Sequence, residues 1–156
     1  MRALALLALP LALAGCLSTP QTVAELKSNP LVRGSTIQVA RSPGAVMASL
    51  TSARAASCLN FTYNGPYSSG PFAFDGGEYP QTYRSRQSGT GLVLEHKVHN
   101  VNPPVDWYPR VVADVTGAGA GATVTVHVPF GDGYVADAIK AYARGDMRPC
   151  PRDEVL

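Results

Sequence analysis

The chain has 156 residues, enough for one domain and short for two. The hydrophobic class makes up 46% and charged residues 15%, a balance that excludes a disordered polyelectrolyte. The formal net charge is +2 with no Lys/Arg cluster, which argues against nucleic acid as a partner. Met1 and Arg2 precede an apolar run from Ala3 to Leu13, closed by Leu13-Ala14-Gly15-Cys16. The run is too short for a bilayer core of about 30 Å and fits the apolar region of a signal peptide. Residues 16–34 read as a tether. Within it Thr22-Val-Ala-Glu25 matches a capping box, and Pro30 stops any helix that starts there. A loose tether and a short docked helix both fit this segment.

The folded domain is expected over residues 35–156. Thr36 to Ala40 alternates polar and apolar, as a half-buried strand does. Ser42-Pro43 offers a cap and a first-turn proline, and Val46, Met47, Leu50, Ala53 and Ser57 recur at helical spacing. Leu59 to Tyr63 returns to period two. Asn64 to Glu78, rich in Gly and Pro, reads as a long loop, which is uncommon in a compact domain unless functional or mobile. Tyr79 to Gln87 and Leu92 to Val98 flank Ser88-Gly-Thr-Gly91, a hairpin signal. Trp107 to Thr116 and Thr123 to Val128 flank the glycine turn Gly117-Ala-Gly-Ala-Gly121. Asp132 caps a helix through Arg144, with Gly145 as its stop. The order β-α-β5-α predicts an α+β fold: a mostly antiparallel sheet of about six strands with two amphipathic helices on one face.

The Leu13-Ala14-Gly15-Cys16 sequence resembles the lipobox of bacterial lipoproteins. The resemblance implies a signal peptide over 1–15, cleavage before Cys16, lipid on its sulfur and an acylated amine. Leu17 stands where that family's inner-membrane retention signal would be an Asp, so the implied address is the periplasmic face of the outer membrane. Several acyl chains on one residue anchor stably, where one chain holds only marginally. In that oxidising compartment the remaining pair, Cys58 and Cys150, reads as a disulfide; a reactive pair lacks a C-x-x-C spacing. At the level of topology only, residues 35–150 resemble the helix-grip domains of outer-membrane assembly lipoproteins of the BamC kind, with no motif of that family matched.

Catalytic motifs are missing from the sequence. There is no G-x-S-x-G elbow, no P-loop lysine after Gly117–Gly121, and no paired-carboxylate run. His96, His99 and His127 read as scattered surface histidines rather than a metal set. No cofactor and no enzymatic activity are expected. Aromatic placement stands out instead. Phe61, Tyr63, Tyr67, Phe72, Phe74, Tyr79 and Tyr83 fall close together, and Trp107-Tyr108 follow Pro103-Pro104. Tyr67, Phe72, Phe74, Trp107 and Tyr108 are the candidate interaction surface; the competing reading folds them onto the sheet. Two functions stay open: a non-enzymatic, lipid-anchored scaffold that holds an envelope protein partner, or a carrier of a small apolar ligand.

Overall fold

The computed structural model describes residues 19–66, 77–101, 104 and 106–155. Its elements run α1 (Val23–Ser28), β1 (Val32–Val39), α2 (Pro43–Leu50), α3 (Ala53–Leu59), β2 (Phe61–Pro66), β3 (Glu78–Ser88), β4 (Gly91–Val98), β5 (Tyr108–Ala118), β6 (Gly121–Pro129), α4 (Gly133–Arg144) and α5 (Pro151–Val155). The six strands form one antiparallel sheet in the order β1-β6-β5-β4-β3-β2. β2 to β6 make a meander, and β1 closes onto β6 with Val32 opposite Pro129. The sheet is open, with β1 and β2 as its edges.

The single helix expected after β1 is two helices. Thr51 ends α2, and Ser52 turns back into extended backbone and caps α3, its hydroxyl accepting from Ala55 N at 3.2 Å. A serine that satisfies an orphan N–H favours a fresh start over continuation. Ser42 caps α2 in the same way at 3.3 Å, with Pro43 in the first turn. Arg41 then ties α2 to α4: one guanidinium nitrogen donates to the carbonyls of Tyr142 and Ala143, the other to Ala45 O and Ser49 Oγ. These acceptors include carbonyls at the end of α4, where a cation is favoured. Gly145 takes the left-handed φ of 94° that ends the helix.

One core fills the space between the sheet and helices α2, α3 and α4. Val46, Leu50, Leu59, Ile139 and Tyr142 meet Leu92, Leu94, Val111, Val115, Val124 and Val126 there. Cys58, at the end of α3, and Cys150, just before α5, stand at disulfide distance with Cα atoms 5.0 Å apart. The pair closes a sequence separation of 92 residues and joins α3 to the segment that follows α4.

The opposite face of the sheet is covered too, by the short docked helix that is one of the two readings of the segment before the domain. The segment read as a tether carries α1 and the start of β1, which begins at Val32 rather than Thr36. Thr22 Oγ1 accepts from Glu25 N at 3.2 Å, and Glu25 Oε2 accepts from Gln21 N at 2.7 Å, so the capping signal is used. Leu26 is buried against Val93 and Val112, with Val23 and Val32 beside it. This second cover explains why β4 is buried on both faces from Gly91 to His96. Leu26→Ala is expected to lower stability by about 2 kcal/mol, the low end for a buried Leu, because undocking of a short helix caps the loss. Urea unfolding measures the loss, and exposed amides of α1 in hydrogen exchange mark its cause.

Candidate functional site

Four aromatic rings form a row across the core face of β2, β3, β4 and β5. Register places Phe61 opposite Tyr83, Tyr83 opposite His96, and His96 opposite Tyr108. Phe61 and Tyr83 stack with centroids 5.0 Å apart, Tyr83 and His96 at 4.4 Å, and Tyr108 meets the His96 ring edge-on at 5.3 Å. Tyr63 and Gln81 occupy the next row. Tyr63 donates to Gln81 Oε1 at 3.1 Å, and Gln81 Nε2 donates to the carbonyls of Gly65 and Pro66. That side-chain bridge helps hold Asn64, Gly65 and Pro66 in β2, where the sequence suggested a loop.

A bulge in β5 brings charge to this row. Leu94 faces Val111 while Glu95 faces Pro109, so Arg110 is the extra residue. Its Nε bonds Asp132 Oδ2 at 2.5 Å. Asp132 therefore leaves the N-terminus of α4 without a side-chain cap, contrary to the capping role expected for it. Burial opposes the Arg110 charge, but Asp132 more than offsets that and holds the guanidinium above its usual range. Burial raises the hydroxyls of Tyr83 and Tyr134 as well, Tyr134 to about 12, so both stay protonated at neutral pH.

His96 is the residue in this row that sequence reasoning misplaced. It is 3% exposed rather than on the surface. Its Nδ1 lies 2.6 Å from Tyr108 Oη, and its Nε2 has no hydrogen-bond partner among the described residues. A protonated ring would place a second N–H where no described residue accepts it. Burial, with the positive charge of Arg110 second, lowers its pKa from 6.5 to about 3. The ring is thus neutral in the fold and chargeable in the unfolded chain. Above pH 6.5 it has no effect; below that the unfolded chain binds the extra proton, and stability falls by roughly 1.4 kcal/mol per pH unit towards pH 3. Urea midpoints from pH 7 to 4 are expected to fall less steeply in His96→Phe than in the parent. Parallel slopes would show that His96 is not the group titrating.

The other histidines do not converge with it. His99 Nε2 lies 2.9 Å from Thr82 Oγ1, and His127 Nε2 lies 3.5 Å from Asp114, which Lys27 also pairs. Among the described residues no group of three His, Cys, Asp or Glu side chains could hold a metal ion. With His96 a very weak base and Tyr83 a very weak acid, these two stacked rings pack and do not exchange protons near neutral pH.

Of the expected interaction surface, Tyr108 is a correction: it is buried in the row and bonded to His96. Trp107 is half-buried, with the Arg84 guanidinium 3.9 Å over its ring. Arg84 and Arg86 both bind Glu95, at 2.8 and 2.7 Å, and these bonds outweigh burial and lower the Glu95 pKa. Cys16, Tyr67, Phe72 and Phe74 lie outside the described residues. Pro66 and Glu78, which bracket the last three, pair at the same end of the sheet as Trp107 and Phe130. Leu31 and Phe130 are the exposed large hydrophobic residues among those described, at 58% and 81%, and the Arg33 guanidinium lies 5.6 Å from the Phe130 centroid. Sequence reasoning passed over both, although each is an apolar residue set in a turn beside a strand end. A comparison with protein-family models finds no match for this chain, and a comparison with curated proteins finds none either.

Proposed function

We propose that the chain is a lipid-anchored envelope protein, held through Cys16 at the periplasmic face of the outer membrane, whose helix-grip-like body acts by contact with a protein partner and not by catalysis. The anchor rests on the lipobox-like Leu13-Ala14-Gly15-Cys16. The oxidising address is supported by Cys58 and Cys150 at disulfide distance.

What supports a contact role over a carrier role is the burial of the described side chains between sheet and helices. An apolar ligand held between sheet and helices needs a cavity there, typically of about 300 Å³ or more. Leu50, Leu59, Leu92, Leu94, Ile139 and Tyr142 occupy that space, each almost wholly buried. Contact then falls to the loops at the end of the sheet that carries Trp107, with Tyr67, Phe72 and Phe74 as further contact residues. Two measurements test the reading. Crosslinking in intact cells is expected to capture one defined envelope protein, with the yield reduced in Phe72→Ser/Phe74→Ser. Solvent extraction of purified, delipidated protein is expected to release no stoichiometric lipid; a bound lipid at one per chain would favour the carrier.

A further inference from the structure

The described chain begins three residues after Cys16, at Thr19. Three Cα steps span at most about 11 Å. From there the chain is committed to the body: Gln21 bonds Thr19 O and Glu25, and α1 is fixed by Leu26 on the sheet. A body of this length has a radius of gyration of about 14 Å. The link from the proposed anchor is therefore shorter than the body's own radius, and the body must rest against the lipid headgroups instead of hanging free of them.

Resting there calls for a surface that lipid accepts. Leu31 ends the turn from α1 into β1, and Phe130 opens the turn from β6 into α4; the pairing of Val32 with Pro129 sets them side by side. Exposed Arg33 adds a guanidinium over the Phe130 ring. An aromatic ring, an aliphatic side chain and a cation at one edge are the chemistry of an interfacial contact: the apolar groups enter the headgroup region and the guanidinium meets phosphate. Leu31 lies 15 residues after Cys16 in the chain (31 − 16), on the C-terminal side of α1.

We infer that Leu31, Arg33 and Phe130 form the face that lies against an anionic phospholipid surface, fixing how the anchored body is oriented. The inference rests on acylation of Cys16, so the test uses mature protein whose acylation has first been verified by mass spectrometry; a failure of anchoring is then seen separately. Mature Phe130→Trp and Ala120→Trp proteins are reconstituted in vesicles of phosphatidylethanolamine and phosphatidylglycerol, with and without bromine on the acyl chains. Ala120 is exposed in the β5–β6 turn at the other end of the sheet. The parent, whose one Trp is Trp107, supplies the background.

After subtraction, the indole introduced by Phe130→Trp is expected to lose about half its emission to brominated lipid, as an interfacial ring would, and that introduced by Ala120→Trp almost none. Leu31→Trp is expected to behave like Phe130→Trp, and adding Arg33→Gln to either is expected to weaken the quenching. Position 130 unquenched, or quenched no more than position 120, overturns the inference. Crosslinks between copies through position 130 also overturn it, in favour of a dimer contact.

Discussion

Replacing Cys58 and Cys150 together by Ala is expected to lower stability by about 2–5 kcal/mol, the range for loss of a native bridge from a small secreted domain. The size follows from the length of chain enclosed. The pair spans 92 residues, including all of β2 to β6 and α4. Without the link the unfolded chain regains that freedom, and the fold also loses two sulfurs that pack in the main core. Urea unfolding of parent and variant under non-reducing conditions measures the difference. Reduction of the parent by dithiothreitol is expected to reproduce the loss; free thiols in the parent as purified from cells without reductant would contradict the bridge.

The second large effect is expected at the Arg110–Asp132 pair. Asp132→Ala removes the partner of a guanidinium held among Tyr83, Tyr108 and His96. Breaking a buried pair from one side costs about 3–5 kcal/mol, and the lower end applies because the Arg110 side chain keeps 30% of its surface open. Removing both charges, in Arg110→Met/Asp132→Leu, is expected to recover most of that loss. A double variant as unstable as Asp132→Ala would show that the pair contributes packing and shape rather than compensated charge.

The parts of the fold legible in the sequence are those written in short-range patterns. The hairpin at Ser88–Gly91 is one: Ser88 pairs with Gly91 across a two-residue turn. Gly119 in the next turn takes a φ of 59°, a conformation that glycine adopts without strain. The split between α2 and α3 was also written, in Ser52 placed three residues before Ala55, but the apolar spacing ran across it and hid the cap. The start of β1 was less visible, since Val32-Arg33-Gly34-Ser35 lacks clear alternation and is specified by its pairing with β6.

The site was less legible because it depends on register. Parity along β4 puts His96 on the side of Leu92 and Leu94, so its burial could have been inferred from period two. The bulge that brings Arg110 to Asp132 could not: nothing local to Pro109 or Arg110 announces an unmatched residue, which exists only relative to Leu94 and Glu95 on the neighbouring strand. Tyr108 was misread for a related reason. It follows a Pro-rich loop, but its place opposite His96 makes it a core residue.

The claim on which the function and the orientation both depend is the acylation of Cys16. Growing cells with a labelled fatty acid and isolating the parent and Cys16→Ser proteins tests it directly. The account predicts label in the parent, carried on the peptide that begins at Cys16, and none in Cys16→Ser. Label retained by Cys16→Ser, or an unlabelled parent, would contradict it.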